Sequence, residues 1–152
     1  MSDSTKWSDV NLLEAFENGT FPRDQWNQRA HVAVAYLFLC AHPFDDALDR
    51  LRSGIQSYNA ANGIADSPTT GYNETTTVAL VRIIDAVRRA YAEVFPAASA
   101  MEFCDLHPEL MSKHILRLFY SPERRMDPRA KTSFLEPDLA PLPEYQAPDR
   151  LR

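Results

Sequence analysis

Apolar residues recur along this chain at three- and four-residue intervals, bounded by capping residues, and no stretch alternates apolar and polar in the manner of a strand. The pattern predicts an all-α fold. Ser8 caps a first helix that runs through Glu17 with Val10, Leu13 and Phe16 on one stripe, and Asn18-Gly19 closes it. A second helix over 27–41, NQRAHVAVAYLFLCA, is polar for one turn and then apolar all round, which marks it as the central, buried helix. Pro43 opens a third, with Phe44, Ala47, Leu48, Leu51, Ile55 and Tyr58 at helical spacing until Asn62-Gly63. A fourth over 73–95 carries the stripe Leu80, Ile83, Ile84, Val87, Tyr91 and Val94, and charged Arg82, Asp85, Arg89 and Glu93 on its other face.

A short helix over 98–105 and a sixth over 110–120 complete an up-down bundle of about five to six helices. Ser121-Pro122 and Asp127-Pro128 each start a brief helical turn. The expected core is Val32, Ala35, Tyr36, Leu39, Leu51, Ile55, Leu80, Ile84, Val87, Leu116 and Phe119. Residues 1–135 form a single helical domain in this reading. Residues 136–152, rich in proline, form an extended tail along the surface.

Length agrees, since 152 residues suit one domain. The longest apolar run, residues 32–41, is half of the ~20 needed to span a bilayer, so no membrane partner is expected. The first residues lack a basic and apolar leader pattern, and Cys40 and Cys104 lie outside any C-x-x-C pair. Both cysteines are expected to be buried, reduced thiols in a cytoplasmic protein. Net charge is 16 − 21 = −5, which argues against nucleic acid. Residues 111–131 nonetheless carry +4 and the remainder −9, a distribution suited to a small anionic ligand. A solvated basic face would give the same count.

Alternating helix directions bring three polar clusters to one pole: Arg29 with His31, Tyr72 with Asn73 and Glu74, and His114 with Tyr120 and Arg124. His31 is the sharpest. It enters an apolar helix, and Ala35 one turn on is too small to fill the space beside it. His31, Glu74 and Tyr72 are the candidate catalytic residues, and Arg29, Asn73, Tyr120 and Arg124 the candidate substrate-binding ones. His31, Glu74 and His114 (or His107) would also make a two-histidine, one-carboxylate set for a divalent metal, although no E-x-x-H or H-E-x-x-H spacing supports it. Nucleotide-binding and serine-nucleophile motifs are absent.

The segments Arg29-Ala30-His31, Gly71-Tyr72-Asn73-Glu74-Thr75, Phe119-Tyr120-Ser121-Pro122-Glu123-Arg124 and Glu136-Pro137-Asp138-Leu139-Ala140-Pro141-Leu142 resemble, in this order, the motifs of a family of small, uncharacterised bacterial all-helical proteins. The likeness runs from Trp26 to Pro143. In that family the position of Asn73 is often histidine, and this chain departs from the pattern there. The resemblance implies a helical protein with polar motifs at helix ends and supplies no reaction.

Two functions remain open from sequence. One is a small enzyme acting on an anionic molecule through His31 and Glu74, with or without a metal. The other is a non-catalytic ligand- or protein-binding module, in which the polar pole fixes helix ends and the tail or an apolar patch meets a partner. Either is compatible with a homo-oligomer.

Overall fold

The computed structural model of the chain describes residues 7–145. It is an all-α bundle, and among the described residues there is no strand. α1 (Asp9–Glu17) starts where Ser8 accepts a hydrogen bond from the Asn11 N–H, and the chain leaves it through Gly19 at positive φ. α2 (Gln28–Ala41) is capped by Asn27, whose side chain accepts from the Ala30 N–H. α3 (Phe44–Ala61) begins after Pro43, and α4 (Glu74–Tyr91) after Asn73, which accepts from the Thr76 N–H. α5 (Ala100–Leu106) is capped by Ser99, and the short α6 (Pro122–Arg125) and α7 (Arg129–Thr132) follow their Ser-Pro and Asp-Pro signals. No helix among the described residues is long and apolar enough to cross a membrane.

α2 is the axis of the bundle and touches α1, α3, α4 and α5. Val32, Ala33, Val34, Ala35, Phe38 and Leu39 are buried on it, so most of its circumference is covered, as its all-round apolar sequence requires. Of the expected core, Val32, Ala35, Leu39, Leu51, Ile55, Leu80, Ile84 and Leu116 are buried, and Tyr36, Val87 and Phe119 pack on it while partly exposed. An aromatic wall joins Phe16, Trp26 and Tyr58, and the Tyr58 hydroxyl donates to the Phe21 carbonyl at 2.7 Å. Phe16 lies so close to α3 that a Cβ on Gly54 would meet its ring at 2.5 Å, and only glycine permits that approach.

Three expectations change. The helix over 110–120 is instead two 3-10 turns, Pro108–Leu110 and Lys113–Leu118. Ser112 interrupts any longer helix by accepting from the His114 N–H. The apolar positions Leu110, Leu116 and Phe119 stand at multiples of three, which suits the threefold 3-10 period. α4 stops at Tyr91, leaving Tyr91 and Val94 exposed rather than in the core, and Val10 on α1 is exposed too. Cys104 is buried and burial pushes its thiol up to about 11, but Cys40 is exposed.

The proline-rich segment is docked on the domain through residue 142. Thr75 donates to the Ser133 carbonyl (2.8 Å) and accepts from the Leu135 N–H (3.0 Å), so α4 holds the chain just before the tail. Tyr120 donates to the Leu135 carbonyl, the Leu139 N–H donates to the Phe119 carbonyl, and Leu142 packs against the core. Residues 146–152 of the expected tail, and residues 1–6 on which the leader reading rests, lie outside the described residues.

Candidate functional site

Beside α2 a cleft of about 1010 Å³ opens between α3, α4 and the segments 111–114 and 125–132. That is at the upper end of the roughly 300–1,000 Å³ typical of small-molecule sites. Its α4 wall is Asn73, Thr76, Thr77, Leu80, Val81 and Ile84, spaced three and four apart and therefore on one helical face. The stripe is polar in its first turn and apolar beyond. α2 adds His31 and Ala35, one turn apart, and α3 adds Leu51 and Ile55. The small Ala35 side chain leaves space next to His31, as its size suggests.

The His31 ring lies over Trp26, centroids 3.9 Å apart. Its Nδ1 is 2.8 Å from the Asn27 carbonyl, which can only accept, so Nδ1 carries the hydrogen and Nε2 keeps a lone pair. Burial holds the imidazole below its ordinary pKa. The Asn27 carbonyl works against that shift, and the positive charge of Lys113 adds to it. His31 is consequently neutral at pH 7, with Nε2 able to accept a proton or a hydrogen bond.

The mouth of the cleft is basic. Lys113 and Arg125 line it with no ion-pair partner among the described residues, and His114 stands beside Lys113. The other charges at the mouth are neutralised within the fold. Asp127 is paired with Arg129 at 2.7 Å, which draws its carboxyl down to about 2. Lys131 binds Asp66 at 2.6 Å and also donates to the Tyr72 carbonyl, tying α7 to the 63–72 loop.

Four of the residues singled out from sequence border this cleft: His31, Tyr72, Asn73 and His114. Arg29, Glu74, Tyr120 and Arg124 do not. Arg29 precedes His31 by two positions, about 200° around the helix, and so faces away, donating to Asp105 at 2.8 Å and to the Met101 carbonyl. Glu74 turns toward α3, where Arg52 grips both carboxylate oxygens (2.9 and 2.7 Å) and the Tyr72 hydroxyl adds a third bond at 2.6 Å. Arg52 above all, with Tyr72, holds the Glu74 carboxyl below its ordinary pKa against the opposing effect of burial, while burial and Glu74 push the Tyr72 phenol up. Glu74 is thus an ion-pair partner, not the acid–base partner of His31. Tyr120 is buried with its hydroxyl on Leu135, and Arg124 donates to the Glu136 carbonyl at 2.8 Å. Asn73 and Tyr72 serve the fold as well as the cleft, through the cap of α4 and the bond to Glu74.

The metal set is not assembled either. His31 and His114 border the cleft, Glu74 is committed to Arg52, and His107 is buried against Tyr91 and Phe103 away from the cleft. Among the described residues no group of three histidine, cysteine or acidic side chains is placed to hold a metal ion. Sequence reasoning missed Trp26, Thr76, Thr77, Lys113 and Arg125. For Thr76 and Thr77 the signal was present, as polar residues on the stripe that Leu80, Val81 and Ile84 continue. Comparison with family models, with curated proteins and with solved structures returns no match.

Proposed function

We propose that this protein is a small-molecule-binding helical domain that holds an anionic ligand in the cleft beside His31, and that any proton transfer it performs runs through His31 Nε2 alone. The observation that carries the reading is a cleft of ligand size bordered by His31, Lys113 and Arg125, whose His31 Nε2 and two cationic groups have no partner among the described residues. Glu74, Tyr120 and Arg124 are bonded within the fold, the buried Arg29 and Arg88 Nε atoms that lack a partner lie off the cleft, and the proline-rich segment through residue 142 is engaged with its own domain. A ligand, not a helix end, is the natural partner for the groups left over.

The test is a titration of the isotope-labelled full chain with a panel of small anions, carboxylates and phosphates included, followed through the His31 ring and Thr76 amide resonances. At least one anion shifts both, and Thr76→Trp, which fills the cleft from an α4 position outside the core, removes the response. A panel that moves neither resonance overturns the reading. Catalysis is the second reading, favoured by a neutral imidazole that borders the cleft and whose Nε2 has no hydrogen-bond partner among the described residues. It requires that His31→Ala abolish turnover of a bound compound while leaving its binding measurable. Turnover that survives in His31→Ala removes the catalytic role.

A further inference from the structure

Beyond the charge of its ligand, the cleft specifies the shape of the molecule that fits it. Its depth is lined by Ala35, Leu51, Ile55, Leu80, Val81 and Ile84, which together offer no side-chain hydrogen-bond donor or acceptor. A ligand that is polar throughout would lose water there and recover nothing. A compact anion would use the mouth and leave that apolar lining wet. The mouth has the opposite character. Asp127 and Lys131 cancel against Arg129 and Asp66, so the charges that remain are Lys113 and Arg125, both positive.

We infer that the ligand is an amphipathic carboxylate: an apolar chain laid along the α2, α3 and α4 lining, with its head group at the mouth between Lys113 and Arg125. The inference rests on the cleft being a ligand site and adds the chemical class. Two features of the residues support it independently. Along α4 the lining changes from Asn73, Thr76 and Thr77 to the buried Leu80, Val81 and Ile84 within three turns, so polarity falls along the helix. The two cations sit on different segments, one in the 3-10 turn Lys113–Leu118 and one in α6, and both border the cleft. Arginine suits a carboxylate through its forked donors, and lysine adds a flexible point charge.

Five probes separate the parts of this claim, each titrated into the labelled full chain below its aggregation concentration: decanoate, decan-1-ol, decylammonium, acetate and inorganic phosphate. Decanoate is expected to shift the amides of Leu80 and Ile84 as well as Lys113, and to bind roughly tenfold or more tightly than decanol or decylammonium. The double variant Lys113→Glu with Arg125→Glu, both outside the core and without an ion-pair partner among the described residues, weakens decanoate by about tenfold or more and leaves decanol unchanged. Equal affinity for decanoate and decanol, or for decanoate and decylammonium, overturns the assigned head group. If acetate or inorganic phosphate shifts His31 and Lys113 while decanoate leaves Leu80 and Ile84 unmoved, the amphipathic ligand is excluded and the site for a compact anion stands. If no probe moves any of these resonances, both the ligand class and the site fall.

Discussion

Two regions meet on α4 and differ in what their polar atoms do. On one face Thr75 reaches the 133–135 segment, and beyond it Tyr120, Ser121 and Arg124 clasp the stretch from Leu135 to Asp138. Ser121 alone engages both Asp138 oxygens, through its N–H at 2.8 Å and its hydroxyl at 2.6 Å. On a different face of the same helix, about 100° on for Thr76 and about 200° for Thr77, these threonines border a cleft whose His31 Nε2, Lys113 and Arg125 have no partner among the described residues. The clasp holds residues 133–142, which have few apolar side chains to bury, onto the bundle. The motifs F-Y-S-P-E-R and E-P-D-L are each other's partners, and G-Y-N-E-T supplies both the Thr75 anchor and the Tyr72–Glu74–Arg52 latch. Short polar motifs at helix ends therefore need not mark chemistry. Polar groups without an internal partner are the better guide to a site.

This contrast makes the clasp sensitive in stability and the cleft sensitive in binding, and the largest expected effect belongs to the clasp. Tyr120→Ala should cost about 3–5 kcal/mol in chemical denaturation, since it removes a fully buried aromatic ring together with its bond to Leu135. A loss below 1 kcal/mol would mean that the clasped segment is not part of the cooperative unit. Glu74→Gln should cost ~1.5–3 kcal/mol by breaking a charge-assisted pair with Arg52. It should also weaken the acid dependence of stability. Because the Glu74 carboxyl lies lower in the folded than in the unfolded chain, its contribution is complete above the unfolded value near 4.5 and is lost as pH falls through the folded one. An unchanged acid limb in the variant would show that the latch contributes nothing.

Gly54→Ala should destabilise by ~1–3 kcal/mol despite alanine's higher helix propensity, because the new methyl meets the Phe16 ring. A gain in melting temperature would break the account of how α1 seats on α3. The smallest effects belong to the cleft. Thr76→Val and Lys113→Ala should leave stability within about 0.5 kcal/mol, because neither side chain closes a contact that the fold needs. His31 titrates with the opposite location but the same sign as Glu74. Held below its ordinary value near 6.5, it favours the fold at neutral pH, and the benefit declines as pH drops below 6.5 toward its folded value. Following the His31 ring by NMR checks this directly. Lys113→Glu should raise its midpoint, since the lysine charge is one of the causes holding it down.

Sequence periodicity and capping residues located α1 to α5, because those signals act within a few residues, but not the end of α4 or the 3-10 turns that stand in place of a helix over 110–120. Ser8, Asn27 and Asn73 cap the helices that follow them, Gly19 lies just past the end of α1, and an apolar circumference made α2 the axis. The space beside His31 was also legible, from the size of Ala35. The partner of each polar side chain was not, because that choice is made across the fold by residues far apart in sequence. Arg52 competes successfully for Glu74 across 22 positions, Asp105 draws Arg29 away across 76, and Leu135 takes the Tyr120 hydroxyl. Helix phase made the same point locally, placing Arg29 and His31 two positions apart on opposite faces. Which residues can bind a ligand was thus decided by tertiary structure, through the charges and hydrogen bonds it satisfies and the few it leaves unsatisfied.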